Sequence, residues 1–170
     1  MTNLYTAGKQ LPKVRFIMIL ALACALGGIY WGIDLAQNYG LAPGDGGVLA
    51  PLAARLAWGI GVASLGLAFL AGMDIYARHY IASARYDPQQ NLLHIETLRY
   101  WGRKSEAVPP AWVSGGGRHS GAFSTVDHTV NAPWAYIYIR SHPRDRRWPL
   151  ILDLQGEILD VERFRKLLKV

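Results

Sequence analysis

The sequence predicts a membrane α plus β protein: a transmembrane pair of helices followed by a small antiparallel α+β domain with a closing helix. Three observations carry this fold class. First, residues 16–33 (FIMILALACALGGIYWGI) and 56–73 (LAWGIGVASLGLAFLAGM) contain no Asp, Glu, Lys, Arg or His. At helical rise each covers roughly 27 Å, close to the hydrocarbon thickness of a bilayer. Second, the texture changes after Arg85 to short alternating runs parted by turn signals. Third, Asp160 stands before VERFRKLL, an N-cap residue ahead of a helical pattern. The expected organisation is an N-terminal flank at 1–15, a helical hairpin at 16–80 and a soluble domain at 86–170.

The two runs have no polar face, so they read as spans rather than as amphipathic core helices. Lys9, Lys13 and Arg15 precede the first run and Arg78 and Arg85 follow the second, whereas the connecting residues 34–55 carry Arg55 against Asp34 and Asp45. The positive-inside rule then places both termini in the cytoplasm. The connection itself contains GLAPGDGGVLAP, turn chemistry with no room for a domain. Tyr30, Trp31, Tyr76 and Tyr80 lie at the ends of the runs, where aromatic rings anchor at the interface. Small residues recur at helical spacing as Ala21, Ala25 and Gly28 on the first helix and Ser64, Ala68 and Gly72 on the second. Such faces allow close approach in lipid, either between the two helices or with a larger membrane partner.

In the C-terminal half, residues 92–99 (LLHIETLR) read as a strand, WGRK as a turn and residues 105–108 as the returning strand. The strongest strand pattern is WAYIYIR at 134–140, partnered by WPLILDL at 148–154. Val161, Phe164, Leu167 and Leu168 are expected to cover the sheet from the closing helix. About five strands and one helix result. Residues 114–132, with SGGGRHSG at their start, read as a long mobile connection that is either simply solvated or ordered by a protein partner.

That glycine stretch lacks the Lys and Ser/Thr that a phosphate-binding loop places after its last glycine. His119, Asp127 and His128, with His94 and His142 elsewhere, show none of the spacings of a metal site. Cys24 is the single cysteine and sits inside the first apolar run, so neither an internal disulfide nor a cysteine nucleophile in the soluble domain is available. No enzyme, cofactor or metal is expected. The net charge of +6 follows from the cytoplasmic flanks and suggests no nucleic acid. Arg144, Arg146 and Arg147 form the tight basic cluster, which reads as a solvated hairpin turn or as a contact to anionic headgroups. Candidate docking residues are Ser64, Ala68 and Gly72 in the membrane, and Arg118, His119, Arg144, Arg146 and Arg147 in the domain.

The order of parts resembles the transmembrane assembly-factor family of mitochondrial respiratory complexes. LLHIETLRYWG looks like the first strand pair of that family, and WPLILDLQGEILDVERFRKLL looks like its closing strand, glycine and helix. The chain is also similar to bacterial two-span membrane proteins with a pleckstrin-homology-like domain. The first resemblance implies a non-enzymatic accessory subunit or assembly factor of an integral membrane complex. The second implies a lipid- or ligand-binding module. The first residues lack an Arg/Ser-rich amphipathic presequence, which points to a bacterial inner membrane rather than a mitochondrial one.

Overall fold

The computed structural model describes residues 1–42, 44, 46–124, 129–140 and 148–169. The chain forms two compact units, Arg15–Ile75 and a second that joins Met1–Val14 to Tyr76–Val170.

Two helices, α1 (Gln10–Asn38) and α2 (Leu52–His79), supply the first unit. Pro12 falls in the first turn of α1, where its missing N–H removes no helical bond. Past the end of α1, Gly40 adopts φ +98° and a Cβ there would meet Val48 O at 2.4 Å, so only glycine fits the reversal. α2 starts from Pro51, whose carbonyl accepts from Ala54 N and Arg55 N. Both helices are long and apolar enough to cross a membrane.

On α1, Met18, Ala21, Ala25, Gly28 and Gly32 are buried at alternating steps of three and four, the spacing of a helix seam. Cys24 and Ala25 lie opposite Gly66, Gly28 opposite Val62 and Gly66, and Gly32 opposite Gly59 and Ala63. Numbers rise on one helix as they fall on the other, so the pair is antiparallel.

The second unit contains β1 (Thr2–Thr6), β2 (Ile81–Asp87), β3 (Leu92–Leu98), β4 (Arg103–Val108), β5 (Val113–His119) and β6 (Ala122–Ser124). Then follow β7 (Thr129–Asn131), β8 (Trp134–Ile139), β9 (Trp148–Asp153), β10 (Glu157–Ile158) and α3 (Val161–Leu168). One antiparallel sheet has the order β10-β1-β2-β3-β4, a second β5-β8-β9, and β6 pairs β7. Leu93 and Ile95 alternate with half-buried His94 and Glu96 on β3, and Ala135, Ile137 and Ile139 are the buried set on β8. These inward faces, with Phe164 and Leu168 of α3, make the core. Phe164 lies 6.1 Å from the Tyr5 ring of β1, while the C-terminal end of α3 meets β5 at Gly115. The helix therefore touches both larger sheets.

Several elements differ from expectation. The flank at 1–15 is not merely a tether, because Thr2–Thr6 pairs with both β2 and β10. β2 begins at Ile81, directly after the helix and ahead of the expected boundary at 86. The expected five strands are ten among the described residues. The connection expected over 114–132 instead forms β5, β6 and β7, apart from residues 125–128, which lie outside those described. Tyr80 is a core residue with no exposed surface rather than an interfacial anchor, and Val161 is 48% exposed.

Candidate docking surfaces

The helix pair uses one small-residue face of α2 and leaves another open. A Cβ added at Gly59 would sit 2.5 Å from Gly32 O, and one at Gly66 would sit 2.7 Å from Cys24 O. Glycines at these positions let the two backbones approach, and the facing patterns are Gly28-x-x-x-Gly32 and Gly59-x-x-x-Ala63. Ala25 and Gly28, expected at such a face, are in the seam. Gly32, Gly59, Ala63 and Gly66 also belong to the seam; the Gly28-x-x-x-Gly32 spacing on the first run marks Gly32, and Gly59-x-x-x-Ala63 on the second is the matching signal for its face. Ser64, Ala68 and Gly72 lie outside the seam and are exposed, and a Cβ at Gly72 meets nothing within 4 Å.

The second surface is the outer face of the three-stranded sheet. Gly115 pairs with Ile137 and Arg118 with Ala135, with a bulge between them. The Tyr136 ring lies across the glycines: a Cβ at Gly116 would fall 2.2 Å from Cδ2, and one at Gly117 would fall 2.8 Å from Cε1. Gly116 and Gly117 are thus a slot for an aromatic ring, and the space beside Gly115 is taken by the Lys169 carbonyl, which is why the stretch forms a strand and not an open loop. His119 stacks on Trp134 with centroids 4.5 Å apart and lies 5.8 Å from Tyr136, while Tyr136 and Tyr138 meet edge to face at 5.5 Å. Arg118 is exposed beside this row and lines a small recess of about 110 Å³ with Gly116, Gly117, Tyr136 and Lys169. The alternating aromatics of WAYIYIR were the available signal for this face, since side chains two apart share a side of a strand.

Trp134 also walls a cavity of about 320 Å³, with Tyr76, Pro133, Ile151 and Asp153. Behind Asp153, the Tyr5 hydroxyl donates to its carbonyl at 2.9 Å and the Tyr80 hydroxyl to Oδ2 at 3.4 Å. Gln155 N donates to Oδ1 at 2.8 Å. Burial first, then the Asp153 charge, pushes the Tyr5 phenol well above its ordinary value. For Tyr80, burial is again the largest cause, followed by Tyr5 and Asp153. Both phenols stay protonated, so they act as fixed donors that orient Asp153 and not as bases.

On the five-stranded sheet, Glu96 accepts from Ser83 at 2.9 Å and Arg103 at 3.0 Å and forms an ion pair with Arg85. Burial raises the affinity of this carboxyl for a proton, but the Arg103 and Ser83 hydrogen bonds and the Arg85 charge outweigh it and hold it below the usual range. Of the metal candidates, His94 lies on this sheet in register with Arg85 and Ala107, and His119 on the other sheet. Asp127, His128 and His142 are outside the described residues, as are Arg144, Arg146 and Arg147. Among the described residues no group of three or more His, Cys, Asp or Glu is placed to hold a metal ion. The chain matches no protein-family model and no curated protein.

Proposed function

We propose that this chain is a membrane-spanning, non-enzymatic accessory subunit or assembly factor of an integral membrane energy-transducing complex of the respiratory type. The observation that carries this reading is the second small-residue face of α2. Ser64, Ala68 and Gly72 are exposed while the Gly59 and Gly66 side of the same helix is taken by α1. A small-residue stripe facing outward suits a further transmembrane helix.

The membrane placement is supported by what the helices present. Phe16, Ile19, Leu26, Ile60 and Leu65 are between 62% and 74% exposed, and 6% of the most apolar window of α2 is buried. A core helix of a water-soluble protein would be mostly covered, and an apolar surface of this extent needs lipid or protein around it. The energy-transducing class rests on the resemblance of LLHIETLRYWG and the closing WPLILDLQGEILDVERFRKLL to the assembly-factor family. The basic flanks orient both termini toward the cytoplasm of a bacterial inner membrane. A Cys placed at Gly46, with Cys24 replaced by Ser, is expected to label from the outside of intact spheroplasts. Labelling only after lysis would reverse the orientation.

The docking test is purification in mild detergent with mass spectrometry of stoichiometric partners. Ala68→Leu with Gly72→Leu is expected to leave the α1–α2 seam intact and to deplete one integral membrane complex. Unchanged recovery of the same complex from the double variant would sink the reading.

A further inference from the structure

We infer that a cavity rimmed by Arg78, His79, Arg99 and Lys104 binds a phosphate-bearing anion. Its volume is about 330 Å³, near the lower bound of about 300 Å³ for small-molecule sites. The charges arrive from separate elements: Arg78 and His79 from the last turn of α2, Arg99 from just past β3, and Lys104 with Glu106 from β4. Arg78, Arg99 and Lys104 line the cavity together with Glu106, and Lys104 Nζ holds Glu106 at 2.5 Å.

Arg99 is the clearest sign of an intended occupant. It is half-buried, its guanidinium donates to Leu98 O at 3.5 Å, and among the described residues no carboxylate pairs with it. The same sheet gives Arg85 and Arg103 a shared partner in Glu96, so the lack of a carboxylate at Arg99 is local. A half-buried guanidinium gains most from a bidentate oxyanion, and phosphate matches its fork.

The rest of the lining narrows the chemistry. Thr97 is 9% exposed, and Ile139 and Leu150, at 3% and 5%, bring apolar surface from β8 and β9. Phosphate oxygens at the cationic rim would leave an adjoining carbon skeleton against Ile139 and Leu150, as in a glycerol or sugar phosphate. The volume admits such a head and excludes acyl chains. Two sources share this chemistry, a phospholipid headgroup and a free phosphate ester. Arg78 follows Met73, the last residue of the second apolar run, by five residues, which is headgroup depth if α2 spans a bilayer. The lipid source rests on the membrane reading above, and the phosphate chemistry does not.

The full-length protein would be assembled into nanodiscs of phosphatidylcholine with or without phosphatidylglycerol, and retained lipid read by native mass spectrometry. Retention of phosphatidylglycerol is expected, reduced about tenfold by Arg99→Gln or Lys104→Gln, less by Arg99→Lys, and unaltered by Lys13→Gln. In phosphatidylcholine discs, glycerol 1-phosphate would be added and the melting midpoint followed. A rise that Arg99→Gln removes, without phosphatidylglycerol retention, assigns the site to free phosphate esters. The inference is overturned if neither probe binds, if both Gln variants bind as the natural protein does, or if Lys13→Gln loses as much as Arg99→Gln. Loss of the membrane complex in the docking test would leave each of these outcomes untouched.

Discussion

Gly116→Ala tests whether the glycine stretch is a strand. The new Cβ would lie 2.2 Å and 2.4 Å from Cδ2 and Cε2 of Tyr136 and 2.4 Å from Tyr136 O. The ring can turn away; the carbonyl, part of the β8 backbone that pairs with β9 at Ile151, cannot. The strands must separate by about 1 Å to restore ordinary contact, which weakens about one ladder hydrogen bond worth roughly 1 kcal/mol. Overpacking adds a loss of about 1–3 kcal/mol. Against this, Ala restricts the unfolded chain and returns about 0.4–1 kcal/mol. The net expectation is a destabilisation of about 1–3 kcal/mol, or a fall in midpoint of roughly 5–15 °C. Thermal unfolding of the full chain in detergent, followed by tryptophan fluorescence, reads this directly, because Trp134 stacks on His119 across the same pair of strands. Gly117→Ala supplies the internal comparison: the three atoms nearest its Cβ would be side-chain atoms of Tyr136, Cε1, the hydroxyl oxygen and Cζ, at 2.8 Å, 2.9 Å and 3.0 Å. Its cost should vanish in a Tyr136→Ala background, whereas the cost of Gly116→Ala should persist there. A midpoint unchanged or raised by Gly116→Ala would mean that β5 is not paired as described and that residues 114–132 are the open connection the sequence suggests.

Asp160 Oδ1 accepts from Arg163 N at 3.0 Å, so Asp160→Ala should cost about 1 kcal/mol, seen as an earlier melt of the helical signal. On α2, Gly66→Ala and Gly72→Ala share the same gain in helix propensity, up to about 1 kcal/mol. Only Gly66 faces a backbone, Cys24 O at 2.7 Å, so Gly72→Ala should raise the melting midpoint in detergent and Gly66→Ala lower it. Glu96 has a folded pKa below its ordinary 4.5. The unfolded chain therefore takes up the proton first, and the stability from Glu96 is complete above about pH 4.5 and lost as pH falls through the folded value. Acid titration of Glu96→Gln should show a flatter decline in that window, and a decline as steep as that of the natural chain would count against the Arg85–Glu96–Arg103 network.

Much of the architecture follows from local chemistry and was legible in sequence. Two uninterrupted apolar runs form the long helices because nothing polar along them competes. The alternation in LLHIETL and WAYIYI survives as β3 and β8 because one buried face per strand imposes period two. Asp160 caps α3 because its carboxylate reaches a backbone N–H three residues on. The docking residues were less legible. His119 was read from an apparent loop, and its actual setting depends on Trp134 and Tyr136, fifteen and seventeen residues later.

By itself the sequence determined where the helices lie, that β3 pairs with β4 and β8 with β9, and where α3 begins, since each rests on periodicity, turn residues or a cap within a few positions. Tertiary structure decided the rest. The first strand has its partners in β2 and β10, across the whole helical pair, and no pattern within Thr2–Thr6 names partners that distant. Ser64, Ala68 and Gly72 and the set at Gly59, Ala63 and Gly66 have equivalent local chemistry, and only the facing glycines of α1 select between them. Three glycines in a row favour a mobile loop by conformational entropy; the ring of Tyr136, laid across Gly116 and Gly117 from the next strand, and the Lys169 carbonyl against Gly115 remove that freedom by occupying the space where side chains would have been.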